Sequence, residues 1–445
     1  MPHAITPQRI DVHPGSVLET ERKRYQVENK IGEGGFGIVC KVNGAGKQYA
    51  LKLTKMWEFM PNERLEYAKR FRQEYEYSKN LEGDHLVRSH DFALVKGNPV
   101  MTMDLCEKGS LRDFFKPQPT SSQLNRIAIG ILKGLSALHN QGIIHRDIKP
   151  ENILFDRHDQ AKLADFGISA SVKKRHTQAN FMGHAKAVFA TCVYSPPEQM
   201  DHTRAMKVMG NTNDVYAFGA TMYEWITGGY FPYGSFEDFT NDMQAFENRR
   251  RQNDWDRRTL QQKAPDDIWI DIIERCLRYD PKERYQDCSE IISQLGESEP
   301  DHKAGWGSQK SKAAIYPHTR WSLEVKNGDE IGRQYHLTNL AAAHGTSILR
   351  LGWLDPKNPF KNHIGIAEEF TQYISQFHAT LEHDPKSNYW YIWDGQKRVK
   401  QGVEDWYPST NGVLVNSRPI GQTRHKLAPG DIIMIGDTTL KVNVE

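Results

Sequence analysis

The sequence predicts an α+β chain in which a β-rich region is followed by a mostly helical one and then by a separate all-β domain. β-Forming residues alternate with turn residues between positions 25 and 58, whereas apolar residues recur with a helical period between 123 and 140. Beyond residue 317, short segments such as YWYIWD and DIIMIGD are separated by Asn, Gly, Pro and Asp, which is typical of strands joined by turns. These patterns indicate two folded domains of different class.

Composition limits the compartment and the partners that we expect for the chain. Among its 445 residues the formal net charge is only +2, so no global charge attracts nucleic acid or a membrane surface. The five cysteines form no CxxC pair, which argues against a disulfide framework or a zinc cluster. The sequence shows neither a secretory signal nor the roughly 18 apolar residues of a membrane span. We therefore expect a cytoplasmic protein with no nucleic-acid partner and no membrane insertion.

The first region predicts strands over residues 25–58 and a helix over residues 63–82. The NGAGK run at 43–47 supplies turn residues between two of the strands. A second helix is predicted over 123–140, where the apolar side chains at helical spacing are Leu124, Ile127, Ile131, Leu135 and Leu138. The pattern stays mostly helical up to the polar, Gly-containing stretch 296–317, which we predict to be a linker.

A glycine-rich segment, IGEGGFGIVC, lies between two predicted strands and carries Gly32, Gly34 and Gly37. Glycines let the backbone approach phosphate oxygens closely because no Cβ intervenes. The spacing alone is weak, since it also marks dinucleotide-binding folds, in which the glycines open a helix. The strands on both sides favour a hairpin that covers phosphates.

Lys52, in the YALK segment that ends the next predicted strand, offers a cation for phosphate oxygens. Such a lysine needs an anion that orients it, and we assign this role to Glu74 on the following helix, with Glu76 as the alternative. An ordinary exposed lysine is the competing interpretation, which the motifs further along the chain disfavour.

Two further motifs follow in the order that phosphoryl transfer would use. HRDIKPEN occupies residues 145–152, directly after the second helix, and Asp165 follows in ADFG, thirteen residues after Asn152. Asp147 can accept a proton from a substrate hydroxyl, and Lys149 can lie near the transferred phosphate. Asn152 and Asp165 offer the hard oxygen ligands that Mg²⁺ prefers.

In this order the motifs resemble the eukaryotic-type protein kinase family over residues 25–295. The resemblance implies a bilobal fold, with a β-rich N-lobe and a helical C-lobe, and ATP and Mg²⁺ as cofactors. The catalytic residues that it implies are Asp147, Lys149, Lys52 and Glu74, and the metal-holding ones are Asn152 and Asp165. The residues that it places at the nucleotide are Gly32, Glu33, Gly34, Gly35, Phe36, Gly37, Val39, Ala50, Lys52, Met103, Asp104 and Cys106.

The segment VMTMDLCEKGSL resembles the hinge that joins the two lobes in this family. The resemblance implies that Met103 is the gatekeeper and that the backbones of Asp104 and Cys106 meet adenine. We expect the Cys106 thiol to be buried and inert, and a reactive thiol is the alternative.

Lys149, placed after Asp147, resembles the serine/threonine branch of the family, and Thr191 before SPPEQ points the same way. A dual-specificity kinase is the main alternative. Glu198 ends the motif that resembles Ala-Pro-Glu, and its expected buried partner is Arg284. Asp214 matches an aspartate that braces the catalytic loop in the family. Ala190 departs from the family, which commonly has glycine there.

The segment between Asp165 and Glu198 contains the basic run KKRHT, in which Thr177 is our predicted activating phosphosite. Its phosphate could pair with Arg146, because phosphate carries nearly two negative charges. The other hydroxyl residues that we considered there are Ser169, Ser171 and Thr191. A disordered basic loop without that role is the competing interpretation.

Arginines cluster in the helical region, at positions 249–251, 257 and 258. We interpret this run as a solvated helix face, and a preference for acidic substrates is the alternative.

Residues 318–445 carry a second set of landmarks, which includes Gly352 in SILRLGW, Ser375 in ISQFHATLEH, and Thr410 and Asn411 in STNGVLVN. The set resembles the forkhead-associated (FHA) domain, a β-sandwich that recognises phosphothreonine peptides. The resemblance implies that Ser375 contacts phosphate and that Thr410 and Asn411 hold the peptide backbone. It also implies that His378 fixes a loop and binds no metal.

One departure from the FHA pattern concerns the phosphate anchor. The family has arginine after the glycine, and this chain has Trp353 there. Arg350 is our substitute, although an odd offset on a regular strand points to the opposite face unless a bulge intervenes. A folded domain that binds no phosphate is the alternative.

The predicted organisation is an extension at 1–24, a kinase domain at 25–295, a linker at 296–317 and an FHA domain at 318–445. We expect Ser/Thr phosphorylation of protein substrates, with phosphothreonine proteins or the chain itself as partners of the FHA domain. A transient homodimer would serve autophosphorylation. The alternatives are a tyrosine kinase, a small-molecule kinase, and a pseudokinase scaffold with a non-binding FHA-like domain.

Overall fold

The computed structural model describes residues 6–34, 37–166, 189, 192–200, 210–296, 320–358, 361–368, 373–400, 403–421 and 423–444. The chain forms two compact units. The first unit consists of Met1–Ala137, His145–Tyr194 and Tyr216–Arg278. The second unit consists of Leu138–Ile144, Ser195–Val215 and Tyr279–Glu445.

A six-stranded antiparallel sheet opens the first unit. Its strands are β1 Val17–Glu19, β2 Arg24–Gly34, β3 Gly37–Gly44, β4 Lys47–Thr54, β5 Ser89–Val95 and β6 Asn98–Met103. The strand order is β1-β2-β3-β4-β6-β5. Ala45 and Gly46 join β3 to β4 with φ of 53° and 80°, the left-handed backbone that a two-residue hairpin turn requires. The strands and the turn that the sequence predicts here are confirmed.

Helix α1, Pro61–Lys79, packs its apolar face on this sheet. Phe71 and Tyr75 from the helix form a buried cluster with Met101 from β6. Pro61 occupies the first turn, and a Glu63 side-chain oxygen accepts a hydrogen bond from the Met60 backbone N–H, so the helix start is capped.

The middle of the chain is helical, as the sequence predicts. Its helices are α2 Ser121–Asn140, α3 Pro197–Met200, α4 Asn211–Thr227, α5 Phe236–Asn241, α6 Met243–Arg251, α7 Arg257–Lys263, α8 Ile268–Cys276 and α9 Cys288–Gln294. Short strands β7 Ile153–Phe155 and β8 Ala161–Leu163 pair with each other. Trp225 and Trp269 are almost fully buried, and their indole N–H groups donate to the Phe114 carbonyl and the Asn125 side chain, respectively. Burial of such large side chains stabilises this region.

The arginine run at 249–251 is not uniformly a solvated face. Arg250 is only 1% exposed, pairs with Glu247 at 2.9 Å and lies over the Tyr216 ring. The interpretation as a solvated face is therefore wrong for this residue, because the charge pattern alone does not reveal which side of α6 faces the core. Arg251 remains exposed.

The C-terminal part of the second unit contains two sheets. The strands are β9 Trp321–Asn327, β10 Gln334–His336, β11 Ile348–Trp353, β12 Ile364–Ile366, β13 Ala379–Asp384, β14 Tyr389–Asp394, β15 Gln396–Lys400, β16 Val403–Tyr407, β17 Val413–Val415, β18 Arg418–Pro419, β19 His425–Lys426, β20 Ile432–Ile435 and β21 Thr438–Val444. One helix, α10 Leu337–His344, interrupts them.

One sheet has the order β10-β9-β21-β20-β17-β18, the other has the order β12-β11-β13-β14-β19, and β15 pairs with β16 as a separate hairpin. Both sheets contribute to one buried apolar cluster, which includes Leu323 and Val442 from the first and Leu351 and Leu381 from the second. The two sheets thus form a sandwich, which agrees with the all-β fold that the sequence predicts.

Within the described ranges, none of the helices combines the length and the apolar character needed to cross a bilayer.

Candidate functional site

Lys52 is the centre of the polar cluster in the first unit. It lies on β4 between Val39 of β3 and Met101 of β6. Its Nζ contacts Glu74 Oε1 at 2.6 Å and Asp165 Oδ1 at 2.7 Å. The sheet, helix α1 and the segment after β8 therefore meet at one ammonium group.

Burial alone would lower the pKa of Lys52, but the carboxylates of Asp165 and Glu74 outweigh burial and raise the pKa above its ordinary value. The ammonium group consequently stays charged at neutral pH. Glu74 is buried, whereas Glu76 pairs with Arg72 on the exposed side of the helix. Of the two glutamates considered from the sequence, Glu74 is the one that contacts Lys52.

The HRDIKPEN segment forms a compact loop around Asp147. Lys149 Nζ donates to both carboxylate oxygens of Asp147, at 2.9 and 2.8 Å. Asn152 Nδ2 donates to the Asp147 carbonyl at 2.7 Å and to its Oδ2 at 3.0 Å. The carboxylate is therefore fixed in one orientation by two neighbours from its own loop.

The β7–β8 pair brings the two predicted metal ligands to the same end of a hairpin. Ile153 pairs with Leu163, and the Ala164 N–H donates to the Asn152 carbonyl at 2.9 Å. Asn152 and Asp165 therefore flank one end of this pair. The Asp165 side chain is 48% exposed.

This donor set suits a magnesium ion. The amide nitrogen of Asn152 is used on Asp147, so the amide oxygen is the end that remains for a cation. Asp165 adds a carboxylate, and oxygen ligands of these two kinds are those that Mg²⁺ prefers.

Two residues of the site hold left-handed backbone although they are not glycine. Arg146 has a φ of 66° and Asp165 has a φ of 55°. Such a conformation costs roughly 1–2 kcal/mol for a residue with a Cβ. Arg146 directly precedes Asp147, and Asp165 is one of the two predicted metal ligands. The backbone strain therefore lies at positions where the direction of a side chain matters for the site.

The glycine-rich segment forms the ends of β2 and β3. Gly32 lies opposite Val39, and Gly34 lies opposite Gly37. The side chain of Glu33 pairs with Lys30 at 2.6 Å. Two other residues predicted for the nucleotide, Gly35 and Phe36, lie outside the described residues.

The hinge segment continues from β6. Ala50 pairs with Met103, which places both predicted nucleotide residues on adjacent strands. The Asp104 side chain contacts His90 at 2.8 Å. Burial raises the pKa of the Cys106 thiol to about 12, so the thiolate is scarce at neutral pH. This favours the inert thiol over the reactive one.

A buried polar network near Asp147 was missed from the sequence. Arg112 donates to Glu224 at 2.5 Å and contacts Glu151 of the HRDIKPEN segment at 2.8 Å. The Tyr194 hydroxyl donates to the other Glu224 oxygen at 2.5 Å. Burial raises the pKa of Glu224, although the hydrogen bond from Arg112 opposes this. The members of this network are far apart in the sequence, so no local pattern could reveal it.

The expected pair of Glu198 and Arg284 is confirmed. Arg284 Nη1 and Nη2 donate to the two Glu198 oxygens at 2.6 and 2.9 Å, and both side chains are buried. Asp214 is fully buried and contacts His139 Nε2 at 2.8 Å. These contacts belong to the second unit.

The predicted phosphosite Thr177 lies outside the described residues. The same holds for the other hydroxyl residues considered with it and for the departing alanine, namely Ser169, Ser171, Thr191 and Ala190.

In the sandwich, three of the four predicted phosphopeptide residues, Ser375, Thr410 and Asn411, line one open pocket of about 480 Å³. Its lining residues are Trp353, Ile374, Ser375, Gln376, Phe377, Arg398, Pro408, Thr410 and Asn411. Ser375 Oγ accepts a hydrogen bond from the Thr410 N–H at 3.0 Å, and Asn411 Nδ2 donates to the Tyr373 carbonyl at 2.7 Å. Ser375, Thr410 and Asn411 are thus brought together.

His378 connects the loops behind this pocket. It is fully buried, accepts from the Ser375 N–H at 2.9 Å and contacts the Gly412 carbonyl through Nε2 at 2.9 Å. Burial lowers the pKa of His378 to about 4, so the ring is neutral at physiological pH. Both ring nitrogens are used by the backbone, as expected for a residue that fixes a loop.

Arg350, our substitute for the missing arginine, does not line the pocket. Its strand β11 pairs with β13 in an unbroken register, with Arg350 opposite Thr380, and no bulge redirects it. Trp353 does line the pocket. The cation that lines the pocket is Arg398, which sequence reasoning missed because no motif marks the β15–β16 hairpin.

The fold and the site around Lys52 are those of the protein kinase class. The model of the protein kinase domain matches residues 25–295, which is most of the chain, and the chain belongs to this family. The model of the FHA domain matches residues 361–436, so the chain joins a kinase domain to a C-terminal FHA domain.

Similar proteins carry kinase names. The chain is 29% identical to a probable serine/threonine-protein kinase of Clostridium perfringens, over 62% of this chain and 38% of that protein. It is 31% identical to a mitogen-activated protein kinase kinase of Aspergillus fumigatus, over 47% of this chain and 41% of that protein. It is 34% identical to a receptor-like serine/threonine-protein kinase of Arabidopsis thaliana, over 47% of this chain and 24% of that protein. The chain thus spans about two fifths or less of these relatives.

Two glycines of the glycine-rich segment, Gly34 and Gly37, should respond differently to substitution by alanine. A Cβ at Gly37 would lie 2.3 Å from the Leu53 carbonyl oxygen, whereas a Cβ at Gly34 would meet nothing within 4 Å. We expect Gly37→Ala to destabilise the β3–β4 pair by roughly 1–3 kcal/mol, as overpacking does. Hydrogen–deuterium exchange of peptides that cover β3 and β4 measures this. Gly34→Ala is the control and should leave their exchange unchanged, and equal exchange in both variants would contradict the steric argument.

Proposed function

We propose that this chain transfers the terminal phosphoryl group of ATP to serine and threonine hydroxyls of protein substrates, with magnesium. The observation that carries the proposal is the convergence of Lys52, Glu74 and Asp165 in one ion-paired cluster. The oriented carboxylate of Asp147 and its partner Lys149 add the second half of the site.

Each residue has a role that its contacts support. Lys52, held charged by two carboxylates, neutralises phosphate oxygens of the nucleotide. Asp147 accepts the proton of the substrate hydroxyl as that oxygen bonds to phosphorus and the bond to the leaving diphosphate breaks. Lys149 holds the Asp147 carboxylate and brings a positive charge near the transferred group.

Magnesium, held by Asn152 and Asp165, would supply charge neutralisation at the phosphates. The predicted hinge, from Met103 to Cys106, gives the nucleotide base its binding edge. Cys106 takes part through its backbone, since its thiol stays protonated.

Serine and threonine are the favoured acceptors for two reasons. Lys149 contacts both carboxylate oxygens of Asp147, and tyrosine-directed kinases usually have a different residue at the position of Lys149. Relatives from a bacterium and a plant are named serine/threonine-protein kinases. The intact set of Lys52, Asp147 and Asp165 disfavours a pseudokinase scaffold.

The FHA domain, we propose further, recruits proteins that carry phosphothreonine. The pocket that joins Ser375, Thr410 and Asn411 supports this, since it offers a hydroxyl and backbone-holding groups on one surface. Phosphorylation at Thr177, a cytoplasmic location and a transient homodimer remain predictions from the sequence.

Asp147→Asn should abolish most of the phosphotransfer, because the amide cannot accept the hydroxyl proton. General-base catalysis contributes about 10²- to 10⁴-fold, so we expect a loss of that size. The measurement uses labelled ATP, Mg²⁺ and generic protein substrates, followed by phosphoamino-acid analysis of the product.

Asp159→Asn is the matched control, because Asp159 pairs with Lys108 at the surface and belongs to the β7–β8 connection, at the opposite end of that strand pair from Asn152. It should keep full activity. Full activity in Asp147→Asn, or phosphotyrosine as the main product, would contradict the proposed reaction or its specificity.

The recruiting function predicts that the full chain binds phosphothreonine peptides but not their unphosphorylated forms. The Asp147→Asn chain, treated with phosphatase, removes competition from phosphates on the protein itself. Fluorescence anisotropy of a labelled degenerate peptide with a central phosphothreonine measures the affinity. Equal binding of the threonine and phosphothreonine peptides, or none of either at millimolar concentration, would contradict a recruiting role.

A further inference from the structure

Among the described residues that line the FHA pocket, hydrogen-bonding groups occur together with one cation, Arg398. Ser375 Oγ accepts from the Thr410 N–H, so its own hydroxyl hydrogen remains to be donated to a ligand. A dianionic phosphate held by hydroxyl and backbone groups alone would lack charge compensation. Trp353 stands where the resemblance implies an arginine, and its indole ring cannot provide that charge.

Arg398 extends into this pocket from the β15–β16 hairpin. Its Cζ lies 5.2 Å from the centre of the Phe377 ring and 4.6 Å from the centre of the Tyr407 ring. The two aromatic rings therefore hold the guanidinium group beside the pocket through cation–π contacts. Neither contact is a hydrogen bond to an oxygen or nitrogen acceptor.

The guanidinium of Arg398 has no ion-pair partner among the residues that the structure describes. Within the same part of the chain, its Nε is buried without a hydrogen-bond acceptor. An anionic ligand in the pocket would supply the charge partner that the described residues do not provide for this guanidinium.

The hairpin that carries Arg398 is firmly attached to the sandwich. Gln396, on the same strand, is 1% exposed and donates to the Leu351 and Ala379 carbonyls, both at 3.0 Å. The Trp406 indole N–H on the partner strand donates to the Asp394 carbonyl at 2.8 Å. Arg398 is thus held by a rigid base, which reduces the entropy lost when it binds a ligand.

Two other cations are close in sequence or space but do not fit the role. Arg350 is exposed on β11 and does not line the pocket. Lys361 lies 5.3 Å from the centre of the Phe377 ring, yet it does not line the pocket either. Neither shares a surface with Ser375 and Asn411 as Arg398 does.

We infer that Arg398 is the phosphate-binding arginine of this FHA domain and replaces, from a different strand pair, the arginine that Trp353 displaces. The phosphate of a phosphothreonine peptide would accept two N–H bonds from the guanidinium fork and one bond from the Ser375 hydroxyl. The inference rests on the proposed phosphopeptide binding and names the side chain on which it depends.

The test measures anisotropy of the labelled phosphothreonine peptide library on the full-length Asp147→Asn chain and on three further substitutions in it. Arg398→Ala should weaken binding by about ten- to a hundredfold, since a charge-assisted bond pair is removed. The affinity of Arg398→Lys should lie between those of the parent chain and Arg398→Ala, because lysine keeps the positive charge and lacks the paired N–H donors of the guanidinium. Arg350→Ala, the matched control, should bind like the parent chain.

Exchange protection of β11 and β13 in each variant checks that the sandwich is intact. If the parent chain binds and Arg398→Ala binds equally well, the role of Arg398 is overturned while phosphopeptide recruitment stands. If Arg398→Ala does not fold, the affinity of Arg398→Lys is the deciding measurement. An affinity of Arg398→Lys equal to that of the parent chain overturns bidentate recognition by Arg398. If the parent chain does not bind the library at all, both the recruiting function and this inference are overturned.

Discussion

The ion pairs of Lys52 are the constraint on which the catalytic half of the molecule depends. They join a strand, a helix and the segment after β8 that are far apart in the sequence. Desolvation of the Lys52 ammonium group disfavours its charged form, and the carboxylates of Asp165 and Glu74 compensate for that penalty. The position of α1 on the sheet and the course of the chain at Asp165 are thereby coupled to the charge that meets the nucleotide.

The two proposed phosphate sites solve the same electrostatic problem in different ways. Lys52 is oriented by carboxylates, which raise its pKa and hold it charged among buried groups. Arg398 is always charged, and two aromatic rings orient it without taking its hydrogen-bond donors. The first arrangement suits a phosphate that contacts Lys52 while Lys52 is also paired with Asp165 and a metal ion lies nearby. The second suits a phosphate that is the only strong anion in its pocket.

Sequence reasoning identified the residues that chemistry restricts to one type in a fixed order. The glycines, Lys52, Asp147, Asn152 and Asp165 belong to this group. In the structure Lys52 pairs with Asp165, and Asn152 donates to Asp147. Sequence reasoning assigned the partner of Lys52 to Glu74 with Glu76 as the alternative, and the contacts agree with Glu74. Both glutamates lie on one helix, so packing decides which of them is buried. The buried Arg250, the Arg112–Glu224–Tyr194 network and Arg398 escaped sequence reasoning, because their partners come from distant segments with no shared motif.

The coupling between Lys52 and Glu74 in phosphotransfer tests the account most directly. A double-mutant cycle compares Lys52→Met, Glu74→Gln and the double variant with the parent chain, and repeats the cycle with Glu76→Gln as the control. The account predicts that Glu74→Gln lowers activity in the parent chain and has no further effect once Lys52 is gone, while Glu76→Gln changes neither. Independent, multiplying losses from Lys52 and Glu74 would contradict it.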